Sequence, residues 1–458
     1  MKARKRRLFN GALAIAIAAA GLAVTPLAGQ GQSPAAAQLT LADAVQRALE
    51  RHPSVGAARA SSDAARSVIT TARAARLPSL ALTGSATQYE QPMLVTPIHG
   101  FGSGDLPLFD ETLVQGAATM NYTLFDGGAR GAKIRGARER AAAAAAAVDG
   151  SEQSLMARTA TSYVQVLARQ QVVDAHDRRI AALEAELSRA RQRFEVGRAP
   201  QVEVLRAEAS LASAHAERVH FAEALDLAER DLARLTGAGE DETRSGRLVS
   251  MRLADSLLSP RTELLDAARS ASPAVARARL QAAAAEADVS VAKGALWPQI
   301  KLGATYYQRG SADTRSWGEW STGAVVSFPL FTGGANSSEV ARSRAGQREM
   351  EEQLRLAELQ LAQELDRAHS AVQEAAAREA SLTSAAARFA EVARIEKLAL
   401  DAGSGTQTDY LTAEADLLAA RASLAEATMN EIAARLELAR VTGELSLPWL
   451  QRVMETRP

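Results

Sequence analysis

The sequence predicts a mainly α-helical chain built as two tandem copies, each carrying a pair of membrane-type β-strands beside very long coiled-coil helices. Three observations predict it: an internal repeat, proline-free stretches with a seven-residue apolar period, and the crowding of aromatic residues into two short extended regions.

The repeat emerges by subtraction. His52-Pro53-Ser54-Val55 matches Ser272-Pro273-Ala274-Val275, and Leu77-Pro78 matches Trp297-Pro298, both at an offset of 220. From Leu124-Phe125-Asp126-Gly127-Gly128, matched by Leu330-Phe331-Thr332-Gly333-Gly334, the offset is 206. It stays there through Gly197 and Gly403, Leu205-x-x-Glu208-Ala209 and Leu411-x-x-Glu414-Ala415, and Arg234-Leu235-Thr236-Gly237 and Arg440-Val441-Thr442-Gly443. The change of 14 falls between residues 79 and 125, so the first copy carries an insertion. The Pro- and Gly-rich segment 92–112 is its expected loop, because surface loops tolerate added length.

The first copy spans 38–237 and the second 261–443. Each opens with a helix, 41–77 (interrupted near Pro53) or 262–296, stopped by Pro78 or Pro298, since proline lacks the N–H a helix needs. Extended segments follow at 79–91 with 113–125, and at 299–310 with 317–331. The long helices at 129–196 and 335–402 contain no proline. In them Val166, Val173, Ile180, Leu187 and Phe194, and Leu354, Leu361, Ala368, Ala375, Leu382 and Phe389, recur every seven residues, the mark of a coiled-coil seam. At 1.5 Å per residue, roughly 67 residues span about 100 Å. A glycine turn leads to a shorter helix, 201–236 or 406–442, closed by Gly237 or Gly443 as a left-handed cap. The two shorter helices of a copy together nearly equal the long one, so stacked end to end they form a column beside it. The polar segment 238–260 links the copies, and 444–458 is a C-terminal tail.

Of the 19 aromatic residues, 12 fall within 79–125 and 297–331. Tyr89, Tyr122, Phe125, Trp297, Tyr306, Tyr307, Trp317, Trp320, Phe328 and Phe331 lie on or beside the strands, with small and polar residues between. That pattern fits the interfacial girdles of a transmembrane β-barrel. Four strands cannot close such a barrel, and an open edge in lipid leaves backbone N–H and C=O groups unpaired. On that membrane reading the chain must oligomerise.

Other classes are excluded. Lys2, Arg4, Lys5, Arg6 and Arg7, the apolar run Leu13 to Val24 and Ala35-Ala36-Ala37 follow the order of a secretory signal peptide, 1–37. Without it, 48 basic residues face 53 acidic ones, a poor balance for nucleic acid. There is no cysteine, hence no disulfide, thiolate metal site or lipidated N-terminal Cys. The histidines at 52, 99, 176, 215, 220 and 369 show no paired ligand spacing and read as surface or seam residues. Gly100-Phe101-Gly102-Ser103-Gly104 precedes no phosphate-binding helix and reads as part of the inserted loop. Glu184, Glu186, Arg189, Arg191 and Arg193 read as a solvated helix face. No nucleophile, base and orienting group come together, and neither an enzyme, a metal nor a cofactor is expected.

The doubled pentapeptide and the glycine turns before the shorter helices are the specific marks of a family. Phe328-Pro329-Leu330-Phe331-Thr332-Gly333-Gly334, with Tyr122-Thr123-Leu124-Phe125-Asp126-Gly127-Gly128 as a looser copy lacking the proline, resembles the "PLFxGG" pattern of the TolC-like outer-membrane efflux proteins. The resemblance covers nearly all of 38–443. It implies a homotrimer whose twelve strands form a barrel in outer-membrane lipid and whose helices form a periplasmic tunnel, with 238–260 in an equatorial band. It further implies a passive duct for efflux or type I secretion, served by a periplasmic adaptor (a membrane fusion protein) and an inner-membrane pump of RND, ABC or MFS type. The rival reading is a periplasmic coiled-coil adaptor or scaffold without a channel.

The resemblance also assigns residues. Asp409, with Glu203 as its counterpart in the first copy, stands at the pore constriction, where converging carboxylates favour cations; Asp409 also suits a helix N-terminus. Family members with a second acid and a basic turn residue have Thr412 and Gly405 as counterparts here. Gly197, Arg198, Ala199, Gly403, Ser404 and Gly405 form the adaptor-docking tip. Pro78, Phe125, Gly127, Gly128, Pro298, Phe331, Gly333 and Gly334 form the junction between barrel and tunnel, where glycine allows the swing from strand to helix.

Overall fold

The computed structural model describes residues 38–96, 108–245, 248–249, 251–253, 259–311 and 316–456. The expected signal peptide, 1–37, and residues 97–107 of the expected loop lie outside the described residues. The elements in order are α1 Leu41–Arg51, α2 Pro53–Ala74, β1 Ser79–Leu94, β2 Phe109–Phe125, α3 Ala129–Glu195, α4 Gln201–Thr236, β3 Met251–Leu253, α5 Arg261–Ala271, α6 Pro273–Gly294, β4 Gln299–Gly310, β5 Ser316–Ser327, α7 Ala335–Asp401, α8 Gln407–Thr442, α9 Leu447–Val453 and β6 Met454–Thr456.

Each copy opens with two helices. Pro53 ends α1 and starts α2, and His52 Nδ1 accepts the Ser54 N–H at 3.2 Å. The second copy has the same break, at Ser272, which corrects the unbroken 262–296 expected from sequence. Pro273 cannot donate to the preceding turn, and Ser272 Oγ caps α6 by accepting from Val275 N at 3.4 Å. Both helices also stop short of the expected 77 and 296. The residue before a proline is driven out of the helical region, so the chain leaves through tight turns, Leu77 N to Ala74 O at 2.9 Å and Leu296 N to Lys293 O at 3.1 Å.

The four long strands make one antiparallel sheet in the order β1-β2-β4-β5. Strands β1 and β2 run 16 and 17 residues against 12 and 12 for β4 and β5. Part of the insertion is therefore strand rather than loop, and the first hairpin stands taller. Strand β5 ends at Ser327, not at Phe331. Its partner β4 begins at Gln299, opposite Ser327, and Pro329 has no N–H to extend the ladder.

The register sorts side chains by face. Leu82, Ala118, Tyr306 and Trp320 lie in one cross-strand row, and Leu80, Met120, Ala304 and Thr322 in the next. The opposite face has Ser85, Gln115, Arg309 and Trp317, then Ala81, Thr119, Thr305 and Ser321. The first face is largely apolar and the other mostly polar. Yet Leu80, Leu82, Met120, Tyr306, Trp320 and Val326 are exposed in the single chain, which leaves an uncovered apolar face.

Helices α3 and α7 have 67 residues each. The seam residues Val166, Val173, Ile180 and Leu187 are buried, as are Leu361 and Ala368; Leu354, Ala375 and Leu382 are half-buried. Phe194 and Phe389 are exposed, because the seam opens toward the turn. Helix α4 returns along α3 and α8 along α7, while α3 also lies against α6 and α8. The main core forms at mid-height, around fully buried Tyr163 with Leu39, Val45, Leu232, Leu436, Leu445 and Leu450. The Tyr163 hydroxyl lies 2.7 Å from Leu39 O and accepts the Val249 N–H at 2.9 Å. Burial pushes its pKa far above the ordinary phenol value, so it stays neutral. The tail, for which no structure was expected, packs Leu445 and Leu450 into this core, and β6 pairs with β3 of the linker.

Candidate functional site: the barrel junction and the helical tip

Sheet and helix meet at the repeated pentapeptide. Gly127, Gly128, Gly333 and Gly334 all have φ between +61° and +85°, a region costly for residues with a Cβ. In place of the missing side-chain cap at Gly128, Asp126 Oδ2 accepts from Arg130 N at 3.0 Å and Arg130 Nε at 2.9 Å. Arg130 Nη1 also reaches Ala75 O at 3.4 Å. The second copy does the same with other residues: Asn336, the counterpart of Arg130, donates to Ala295 O at 3.2 Å. In both copies the first turn of the long helix thus holds the end of the helix that enters the sheet. Pro78 and Pro298 stand immediately before β1 and β4. Phe125 ends β2 opposite Ile300 of the apolar face, and Phe331, 90% exposed, lies beyond β5.

The two copies differ in what covers these glycines. A Cβ on Gly127 would lie 2.7 Å from Gly294 O and 2.7 Å from Trp297 Cβ, whereas Gly333 has no neighbour within 4 Å. Likewise Gly294 lies against Ala129, while their counterparts Ala74 and Ala335 are both exposed. The single chain contains one half of a repeating contact.

At the opposite end, Gly197 and Gly403 have φ of 71° and 75° and close the turns by backbone bonds, Arg198 N to Arg193 O at 2.7 Å and Ser404 N to Ala399 O at 2.9 Å. Gly197, Arg198, Gly403 and Ser404 are exposed. Ala199 is buried and turns inward, unlike the open docking surface expected of it. Gly405 is half-buried, and a Cβ there would come within 2.9 Å of Ala399 Cβ, so the turn itself requires glycine.

Asp409 and Glu203 hold equivalent positions with unequal freedom. Asp409 is exposed; its carboxylate accepts the Thr406 hydroxyl at 2.6 Å and Thr406 Oγ accepts the Asp409 N–H at 3.2 Å, a helix cap that leaves the charge in solvent. Glu203 leans on Arg193, 3.7 Å away, which offsets its charge. The sequence reading missed a polar contact between the copies. Glu186, read as part of a solvated face, is buried and accepts from Gln407 Nε2 at 3.2 Å, and Arg189 pairs with Asp401 at 2.7 Å. The available signal was position: Glu186 follows the buried Leu183 by three, the spacing that keeps residues on one helical face.

An exposed apolar face backed by a polar one, continued through glycine junctions into 67-residue helices, is the wall of a transmembrane duct. The chain belongs to the outer membrane efflux protein family, whose profile matches residues 44–238 and 264–444. It is 25% identical over 364 residues to the outer membrane efflux protein BepC of Brucella suis, covering 77% of each chain. It is 31% identical over 328 residues to the pyoverdine export outer membrane protein OpmQ of Pseudomonas aeruginosa, covering 68% of this chain and 66% of that one. The outer membrane protein VceC of Vibrio cholerae shares the fold with a TM-score of 0.72 at 22% identity, over 88% of this chain and 96% of that one. The protein is an outer-membrane export duct of a Gram-negative bacterium, and its family is one of channels. Among the described residues no helix is long and apolar enough to cross a membrane.

Proposed function

We propose that three copies of this chain close their sheets into a 12-stranded barrel, continue it as a helical tunnel, and serve as the passive outer duct of a tripartite efflux or type I secretion system. The observation that carries the trimer is the strand order. Each strand of β1-β2-β4-β5 runs antiparallel to its neighbour, so the free edges β1 and β5 run in opposite senses. Strand β5 of one copy can therefore pair antiparallel with β1 of the next, and every edge in lipid is satisfied. Two copies would make eight strands, whose interior side chains fill; three leave an aqueous lumen lined by the polar face.

The tip turns are the surface for a periplasmic adaptor, through Gly197, Arg198, Gly403 and Ser404, and an inner-membrane pump of RND, ABC or MFS type supplies the driving force. Asp409, exposed at the start of α8, is the acidic ring of the constriction. The test is purification from the outer-membrane fraction and reconstitution in planar bilayers. Heat-modifiable, SDS-resistant trimers that conduct ions are expected. Monomers without conductance would favour the adaptor or scaffold reading.

A further inference from the structure

The contact between α3 and α8 near the tip is short of one proton. Glu186 and Gln407 are both buried, and Gln407 Nε2 donates to Glu186 Oε1 at 3.2 Å. Their other oxygens, Glu186 Oε2 and Gln407 Oε1, are buried with no hydrogen-bond partner. The nearest cation, Arg189 Nε, stands 3.6 Å from Glu186 Oε2, beyond hydrogen-bond reach, and Arg189 Nη1 is engaged by Asp401 at 2.7 Å. A buried acceptor without a donor loses its hydration with nothing in exchange, which destabilises the contact. A single proton on Glu186 Oε2 supplies the donor: a carboxylic acid and a primary amide can exchange two hydrogen bonds, acid O–H to amide oxygen and amide N–H to acid oxygen.

We propose that Glu186 and Gln407 form a proton-operated latch between the two helical hairpins of one protomer, closed when Glu186 is a neutral acid and released when it ionises. Gln407 is the first residue of α8, directly after the turn at 403–405, so the latch holds the second hairpin's tip against the first. The groups around it pull both ways. Arg189, the Gln407 amide N–H and Arg193 favour the anion, and Asp401 at the end of α7 opposes it. From α8, Tyr410 is buried, with a pKa pushed up to about 12 chiefly by burial, and stays neutral beside Glu414. Glu203 of α4 is held by Arg193. Burial dominates at Glu186 and raises its carboxyl above the ordinary Glu range. A raised folded-state pKa fixes the sign: the latch is fully present below the ordinary Glu value and is lost as pH rises through the folded value. Its effect on passage rests on the duct reading; the latch itself does not.

The chain has no cysteine, so spin labels can be placed at Arg198→Cys and Ser404→Cys, one on each turn, in the full-length protein in lipid nanodiscs. Buried carboxyls titrate as high as about pH 8–9, so electron–electron distances are compared between about pH 5 and about pH 9. The shortest distance should lengthen at the higher pH in the parent. Glu186→Gln, which keeps two reciprocal amide bonds and cannot ionise, should hold the short distance at both, and Glu186→Ala the long one at both. A parent distance that ignores pH, or a Glu186→Gln variant that moves as the parent does, overturns the latch.

Discussion

The half-contact at the junction gives the most direct test of the assembly. Gly294 at the end of α6 lies against Ala129 at the start of α3, a Cβ built on Gly294 standing 2.8 Å from Ala129 Cβ. Shifting both residues by the repeat offsets gives Ala74 at the end of α2 and Ala335 at the start of α7, each exposed in the single chain. If the copies alternate around a ring, Ala335 of one protomer meets Ala74 of the next. Disulfides need Cβ atoms about 3.5–4.5 Å apart, and since Ala74 already has a Cβ where Gly294 has none, the intermolecular spacing must exceed 2.8 Å and move into that range. With no native cysteine to compete, the double variant Ala74→Cys, Ala335→Cys should convert under mild oxidation to a covalent trimer that survives boiling in SDS without reductant. An Ala74–Ala335 bond formed within one chain, or none despite intact SDS-resistant trimers, would refute the ring.

Three further outcomes follow from individual residues. Gly127→Ala should lower urea resistance of the single-chain fold by roughly 1–3 kcal/mol more than Gly333→Ala, since both disfavour positive φ but only Gly127 meets neighbours, while Gly333→Ala should chiefly reduce trimer yield. Asp409→Asn keeps the Thr406 cap and removes only charge, so it should shift the reversal potential in a salt gradient toward lower cation selectivity; an unchanged potential would dismiss the acidic ring. His176 is buried and stacked on Phe221 at 4.6 Å, its Nδ1 lacking a hydrogen bond, and burial lowers its pKa against the raising influence of Glu217 and Asp177 and with that of Arg179. A lowered histidine pKa means stability present above the ordinary value near 6.5 and lost as pH falls through the folded value, so His176→Phe should flatten the acid-side drop in melting temperature, and equal drops would count against it.

Much of this architecture was legible because its signals are local. The glycine pairs, the prolines before β1 and β4 and the seven-residue period each act within one or two turns of chain, and the long helices begin at the residues those signals indicate. What was missed depends on contacts between distant segments. Strand β5 stops at Ser327 because its partner begins at Gln299, and Glu186 is buried because α8, over 200 residues away, lies on it. The tail packs Leu445 and Leu450 into the central core, and their spacing alone does not announce a core position. At the tip, the turn glycines were found but the burial of Ala199 was not, since no local motif carries it.

The unequal hairpins bear on how such a molecule can change over time. In a three-fold assembly the tall β1–β2 hairpins would alternate with the short β4–β5 ones, so the outward rim has three projections while the wall beneath keeps nearly six equivalent columns. The residues most open to antibodies or phage would then sit on only one copy of the duplication, above the membrane band. Variation there leaves the helical register untouched, and the outer face is free to diversify at no cost to the passage it crowns.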